Sequence, residues 1–271
     1  MPLPELGQVE QRISGLFQDS AMETVTSLSN RQLCLVTQSR GNDPERFLVP
    51  QIIFQLLANG YGGIQAVRGI GRYLDTNIWH ASPETPDLDS GNIKVLIIAE
   101  ADFPSRRMPE LIETVLEDCR KANCAVIPIV NYRLNRTDQA TELAKMWQEG
   151  AGKVFGQEPA GVQLPQILLT RTLAKDYLTA LCQSYMPASE RVIDYILQIV
   201  PPRIAVLQHL IVDVGDDHYL FENEKGAQQT INSKVESWWE MGYITEKDYR
   251  TVQRRCLVDR QIFWPLGPKQ T

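Results

Sequence analysis

The sequence predicts an α/β fold, with a doubly wound, mostly parallel sheet followed by a helical C-terminal part. Two continuously apolar runs, IKVLIIAEA at 93–101 and CAVIPIVNY at 124–132, are typical of internal parallel strands that helices cover on both faces. Strand-like and helix-like segments alternate over 31–156 with short links, which is the pattern of parallel βαβ units. After about residue 165 only helix-like runs follow.

The first strand and helix are predicted from a change of composition. RQLCLVTQ at 31–38 is a compact β-prone run that ends at the turn-forming SRGNDP. PERFLVPQIIFQLLANG at 44–60 fits a mostly buried helix that closes at its Asn-Gly pair. Pro50 would kink this helix or mark its true start.

The next helices and the last strand follow from periodicity and caps. SRRMPELIETVLEDCRKAN at 105–123 is the clearest helix, because its apolar residues form one stripe. TDQATELAKMWQEG at 137–150 is predicted as a helix that Thr137 or Asp138 caps and Gly150 ends. KVFG at 153–156 is predicted as a short final strand.

The C-terminal part is predicted to be helical and to end in an αα-hairpin. Gly242 would end the first helix of the hairpin, and Thr245 would cap the second, with Asp248 three residues later as a variant of the capping box. The predicted organisation is an N-terminal helical arm at 1–28, an α/β domain at 29–164 and a mostly helical domain at 165–271.

Composition and charge limit the class of protein. The 271 residues carry a formal net charge of −6, which argues against a surface that seeks nucleic acid or an anionic membrane throughout. The five cysteines are scattered without a CxxC pair, and the three histidines lack metal-ligand spacing. No apolar run reaches the roughly 20 residues that span a bilayer, and the N-terminus lacks a secretory pattern. We therefore expect a cytoplasmic protein with reduced cysteines, no metal and no cofactor.

The order of elements over about 30–160 resembles the receiver domain of two-component response regulators, which has a flavodoxin-like fold. In receivers a phosphoacceptor aspartate ends the central strand and a proline follows four residues later. In IIAEADFP the matching residues are Glu100 and Pro104. Where receivers carry an acidic pair that holds magnesium, LVTQSRG has only Thr37 and Gln38. The resemblance therefore implies a pseudo-receiver that does not accept phosphate.

The C-terminal stretch WWEMGYITEKDYRTV is similar to short C-terminal hairpin modules that often mediate association. Aromatic side chains on a two-helix unit need something to cover them. The hairpin is therefore predicted to bind a protein partner or a second copy of the chain through Trp238, Trp239, Tyr249, Arg250 and Arg254. Acidic residues alternate with the basic ones, which favours a solvated mixed-charge face over a nucleic-acid contact.

Two further groups of residues are candidates for a ligand site. Glu100 and Asp102 flank the carboxyl end of the strand at 93–101, where doubly wound sheets place ligands. Two carboxylates there would hold a metal or act as acid and base; alternatively, one caps the next helix and the other is solvated.

NGYGGIQAVRGIGR at 59–72 matches neither GxxxxGK nor GxGxxG. As a helix it would align Arg68 and Arg72 one turn apart, so anion binding and a turn with close packing both stay open.

These observations leave three functional hypotheses. The first is a non-enzymatic regulatory or scaffold protein that acts through protein–protein interaction. The second is a nucleotide-dependent or metal-dependent enzyme with its site at the carboxyl ends of the strands. The third is a nucleic-acid-binding regulator, which the net acidity favours least.

Overall fold

The computed structural model describes residues 5–29, 31–67, 92–99, 108–185, 187–212 and 221–262. The chain divides into two compact units. One is an α/β unit, Ser14–Gln166, and the other is a helical unit that combines Met1–Ile13 with Ile167–Thr271.

The α/β unit contains a five-stranded sheet in which every described pair of strands is parallel. The strands are β1 (Cys34–Ser39), β2 (Ile64–Val67), β3 (Val95–Ile98), β4 (Ala125–Tyr132) and β5 (Ala160–Gln163), in the spatial order β2-β3-β4-β1-β5. The described helices of the chain are α1 (Leu6–Gly15), α2 (Gln18–Ser29), α3 (Pro44–Ala58), α4 (Met108–Lys121), α5 (Thr137–Phe155), α6 (Arg171–Tyr185), α7 (Glu190–Ile199), α8 (Ile204–Val212), α9 (Glu224–Glu240) and α10 (Glu246–Ile262).

Both faces of the inner strands are buried, as the two apolar runs predicted. On one face, strand residues pack with α4 and α5 in a single core that includes Leu35, Leu96, Val126, Ile112, Leu116 and Trp147. Strand residues of the opposite parity are also buried, among them Val36, Ile97, Ile127 and Ile129. On that side, α2 packs against β1, β5 and α3. The strands β3 and β4 lie side by side, so the predicted α/β class and its parallel sheet are confirmed.

The strand order differs from the flavodoxin-like order 2-1-3-4-5 that the receiver resemblance implied. Here β1 lies between β4 and β5, and β2 forms an edge beside β3. Apolar patterning marks which segments become strands, but several parallel orders bury the same residues equally well. The pattern therefore left the order open.

The predicted strand at 153–156 is wrong, because α5 continues through it to Phe155. Gly150 does not end this helix. A Cβ at Gly150 would lie 2.8 Å from the Cγ2 atom of Ile112, so the glycine lets α4 and α5 pack closely. The helix ends instead at Gly156, which adopts a left-handed conformation with φ 70°. The strand that follows is β5.

The helical unit ends in the predicted αα-hairpin, formed by α9 and α10. Gly242, with φ 73°, follows the first helix. The capping box is confirmed by two reciprocal hydrogen bonds. The backbone N–H of Asp248 donates to Thr245 Oγ1 at 3.1 Å, and the backbone N–H of Thr245 donates to Asp248 Oδ2 at 3.1 Å.

A buried ion pair joins this hairpin to α8. Arg203, which directly precedes α8, is only 4% exposed, and its Nη2 donates to Asp248 Oδ2 at 2.7 Å. The Nε and Nη1 atoms of Arg203 are buried without a hydrogen-bond partner. Burial alone would raise the pKa of Asp248, but hydrogen bonds from Arg203 and Thr245, with the Arg203 charge, lower it below its ordinary value.

Asp248→Asn is expected to lower the free energy of unfolding by about 2 to 4 kcal/mol, because it leaves the buried Arg203 charge without its carboxylate. The lowered pKa means that Asp248 stabilises the fold above its unfolded-state pKa, near 3.8. This stabilisation is lost as pH falls through the still lower folded-state pKa, and the variant should lack that pH dependence. Urea unfolding between pH 2 and pH 7 measures both effects.

Glu149→Gln is the control. It removes the exposed ion pair with Lys145 and should not shift the midpoint of urea unfolding. Equal midpoints for both variants would contradict the prediction.

Candidate functional site

The carboxyl ends of β1 and β4 form a topological switch point. After β4 the chain enters α5, which packs against α4 on one face of the sheet. After β1 it enters α3, which packs against α2 on the other face. Neighbouring strands here send the chain to opposite faces, and open α/β sheets usually bind ligands at such a point.

A network of neutral amides fills this position. Gln38 is paired in register with Asn131, and its Nε2 donates to Asn131 Oδ1 at 2.8 Å. Asn131 Nδ2 in turn donates to the Ala99 carbonyl at 3.2 Å. Both amide side chains are buried, and Gln38 Oε1 has no hydrogen-bond partner. The network links β1, β4 and the end of β3. It leaves one buried acceptor, Gln38 Oε1, without a hydrogen bond.

The turn after β1 does not have the geometry of a phosphate loop. Ser39 Oγ accepts a hydrogen bond from the Gly41 N–H at 3.1 Å, and Asn42 Nδ2 donates to the Pro165 carbonyl at 3.2 Å. Asp43 has a left-handed backbone with φ 48° and directly precedes α3. A strand-to-helix phosphate loop needs GxxxxGK[ST], whose backbone N–H groups converge on the anion and whose lysine reaches it. The four residues RGND between β1 and α3 supply neither the length nor the lysine.

The predicted strand-end carboxylates, Glu100 and Asp102, and the candidate anion-binding residues, Arg68 and Arg72, lie outside the described residues. The strands that precede them in sequence, β2 and β3, are neighbours, with Val67 paired to Ile98.

The glycine-rich stretch is corrected in part, because residues 64–67 form the edge strand β2 rather than a helix. Gly63 supports the packing alternative. It has φ 61°, and a Cβ there would lie 2.0 Å from the Asn92 carbonyl oxygen.

A groove of about 490 Å³ lies beside the switch point on the α5 face. Its lining combines apolar and neutral polar groups, including Leu35, Thr37, Tyr132, Thr141, Gln148 and Gly161. Hydroxyl and amide groups of this kind bind through hydrogen bonds rather than through charge. Within the described ranges, no group of three or more His, Cys, Asp or Glu residues is placed to hold a metal ion.

The structure corrects the predicted interface on the hairpin at Trp238. This side chain is fully buried, and its Nε1 donates to His209 Nδ1 at 3.1 Å, so Trp238 belongs to the core of the helical unit. Trp239 is half-buried, and its ring lies 5.5 Å from that of Tyr249. Arg250 forms an ion pair with Glu246 within α10.

Tyr249 is held by two further hydrogen bonds. Its hydroxyl donates to Glu236 Oε2 and accepts from Gln253 Nε2, each at 2.6 Å. The hydrogen bond to Glu236 is the main cause that raises the pKa of Tyr249. Arg254 is also exposed, so Arg250 and Arg254 are the exposed residues among those predicted for the interface.

A second surface was missed by the sequence analysis. The helix α3 was predicted to be mostly buried, and Phe47, Ile52 and Leu56 are indeed buried. Its opposite side is open, because Phe54 is 63% exposed and Leu57 is 59% exposed. The signal was present in the sequence: no Asp, Glu, Lys or Arg occurs between Arg46 and Arg68. We call Pro50, Phe54 and Leu57 the α3 face.

No family model and no curated protein matches the sequence. Among solved structures, the chain is similar to domain III of the replication initiation protein DnaA from Thermotoga maritima, with a TM-score of 0.54 and 11% identity over 80% of this chain and 90% of that chain. AMPPCP-bound DnaA from Aquifex aeolicus gives a TM-score of 0.40 and 11% identity over 89% of this chain and 87% of that chain. Rif2 in complex with the C-terminal domain of Rap1 gives a TM-score of 0.33 and 10% identity over 90% of this chain and 91% of that chain. The first likeness shows a shared α/β fold and nothing more.

Described helices include none that is both long enough and apolar enough to cross a membrane.

Asn131→Ala is expected to lower the free energy of unfolding by about 1 to 3 kcal/mol, because it leaves the buried Nε2 of Gln38 and the Ala99 carbonyl without their partner. Chemical denaturation followed by circular dichroism measures the change. Gln163→Ala, an exposed amide on β5, is the matched control and should leave the midpoint unchanged. An Asn131→Ala protein as stable as the parent would show that the amide network contributes nothing to the fold.

Proposed function

We propose that the chain is a non-enzymatic regulatory or scaffold protein that acts through protein–protein contact, with the α3 face as its main contact surface. The observation that carries this proposal is the exposure of Phe54 and Leu57 on a mostly apolar helix that has no charged residue after Arg46. A helix of this kind is normally covered on all sides. An exposed apolar patch on such a helix marks a contact surface.

The geometry of the α3 face suits helix packing. Pro50, Phe54 and Leu57 follow the i, i+4, i+7 spacing, so their side chains lie along one line of the helix. Burying a large apolar side chain contributes about 1.5 to 3 kcal/mol. Phe54 and Leu57 together supply a useful part of the free energy that association needs.

We assign a second copy of the chain as the occupant of the α3 face. An interface with two-fold symmetry places the same patch of each copy against the other. Because the α3 face carries no charge, two copies meet there without opposing like charges, although each chain carries a net charge of −6. The C-terminal hairpin, with Arg250 and Arg254 exposed, remains a second proposed contact for a protein partner.

The strand-end site supports a non-catalytic role. Its described side chains, Gln38 and Asn131, are neutral amides that hydrogen-bond to each other. General acid–base catalysis needs a group that titrates near the working pH, and amides do not. The turn between β1 and α3 also lacks the lysine and the backbone cradle on which phosphate loops depend.

The double substitution Phe54→Ser with Leu57→Ser is expected to convert a dimer into a monomer, because it replaces the apolar contact with solvated hydroxyls. Light scattering after gel filtration measures the mass. Leu168→Ser is the matched control, since Leu168 is 54% exposed outside α3, and it should leave the dimer intact. A parent protein that is monomeric at all concentrations would remove the second copy as the occupant. An unchanged dimer in the double variant would remove the α3 face.

The alternative, a nucleotide-dependent or metal-dependent enzyme, is favoured by one observation: the buried and open acceptor Gln38 Oε1 at the switch point. A ligand that donates a hydrogen bond to this oxygen would stabilise the fold by about 2.7 kcal/mol at one hundred times its dissociation constant. A thermal-shift screen against nucleotides and divalent metals tests this alternative. A shift in the parent that Gln38→Met abolishes would support it, and no shift with any ligand would count against it.

A further inference from the structure

Two of the five cysteines meet at the junction between α4 and β4. Cys119 lies in the last turn of α4, and Cys124 directly precedes β4. The backbone N–H of Cys124 donates to the Cys119 carbonyl at 2.8 Å, and that of Asn123 donates to the Arg120 carbonyl at 3.1 Å. Asn123 has a left-handed conformation with φ 51°. These are the two hydrogen bonds and the left-handed residue of a Schellman motif.

The Schellman motif determines which side chains touch. It brings together the third residue from the helix end and the second residue beyond the cap, which are usually apolar. Here both are cysteines, and their side chains are within hydrogen-bonding contact. Cys119 and Cys124 are buried, and Cys124 Sγ also donates to the Ala125 carbonyl at 3.4 Å. Two thiols therefore lie side by side at the end of α4, on backbone segments that the Schellman hydrogen bonds hold together.

We propose that Cys119 and Cys124 form a redox-active dithiol, which closes to an intramolecular disulfide by exchange with a small-molecule disulfide such as oxidised glutathione. The Cys124 thiolate attacks one sulfur of glutathione disulfide, forms a mixed disulfide and releases one glutathione thiolate, which takes up the proton that Cys124 lost. Cys119 then loses its proton and attacks Cys124 Sγ, and the second glutathione leaves as a thiol. Two protein thiols are oxidised, and one disulfide is reduced to two thiols.

The surroundings give the two sulfurs different roles. The hydrogen bond from Cys119 lowers the pKa of Cys124, and the Leu96 backbone and the Lys94 charge act in the same direction against burial. The same hydrogen bond raises the pKa of Cys119, and burial adds to it. Cys124 also lies beyond the end of α4, next to the exposed Asn123, whereas Cys119 lies within the helix. We therefore assign Cys124 as the attacking thiol and Cys119 as the resolving thiol. By contrast, burial raises the pKa of Cys182 to about 12, so Cys182 exchanges slowly.

Access comes from the helix end. Arg120, Lys121 and Asn123 are exposed, so the last turn of α4 opens to solvent more readily than the core of the sheet. The second step, in which Cys119 attacks Cys124, needs no other protein residue, because the Schellman hydrogen bonds already hold Cys119 and Cys124 together.

The sequence between the two cysteines makes the bond easy to detect. Trypsin cleaves after Arg120 and Lys121, so the two cysteines fall on separate peptides when they are reduced. The native full chain is incubated with oxidised glutathione, the remaining thiols are blocked with a maleimide under denaturing conditions, and the digest is analysed by mass spectrometry. We expect the peptide that ends at Arg120 to stay linked to the one that begins at Ala122 until reductant is added. Three of the five thiols should react with the maleimide.

Single substitutions separate the two roles. Cys119→Ser should keep one glutathione on Cys124, because no resolving thiol remains. Cys124→Ser should take up glutathione on Cys119 at least tenfold more slowly. Cys182→Ser is the control and should form the linked peptides as the parent does. If a serine variant does not fold, Cys119→Ala and Cys124→Ala replace it. Five reactive thiols after oxidation of the native parent, or a link between any other pair of cysteines, would overturn the proposal.

Discussion

The arrangement of the α/β unit depends on the enclosure of β1. This strand pairs with β4 on one side and β5 on the other, and helices bury both of its faces. Because both faces are covered, most side chains of β1 are buried, and its polar residues lie toward the carboxyl end. Gln38 occupies that end. The amide network, the turn into α3 and the switch point between β1 and β4 all follow from the internal position of this strand.

Sequence patterns predicted the elements whose signal is local. The run at 93–101 predicted β3 because every residue of that strand is buried, and the stripe that includes Ile112 and Leu116 predicted α4 because it faces the sheet core. The capping box of α10 was readable because its two partners are three residues apart. The strand β5, with the sequence AGVQ, has a weak intrinsic preference for extended structure, and its pairing with β1 makes it a strand. Pairing with a strand that is distant in sequence produces no pattern within the segment itself, so β5 could not be predicted from AGVQ.

The candidate site could not be read in the same way. Gln38 and Asn131 are 93 residues apart, and only the register of β1 against β4 brings their amides together. The α3 face is a different case, because composition showed that α3 is mostly apolar but not that one of its sides is uncovered. The predicted role of Trp238 failed for the converse reason. An aromatic residue on a hairpin helix can either contact a partner or pack in the core. The burial of Trp238 and its hydrogen bond to His209 place it in the core.

The ion pair between Arg203 and Asp248 favours one packing arrangement of the helices in the helical unit over the alternatives. Apolar helices slide past one another by a turn at modest cost, because one aliphatic contact replaces another. A slip of α10 against α8 would separate the buried Arg203 guanidinium from Asp248, and a buried charge without its partner is strongly destabilising. With two of its nitrogens already unsatisfied, Arg203 adds little depth to the native energy minimum. Its pairing with Asp248 instead favours the native alignment of α10 against the start of α8 over other alignments.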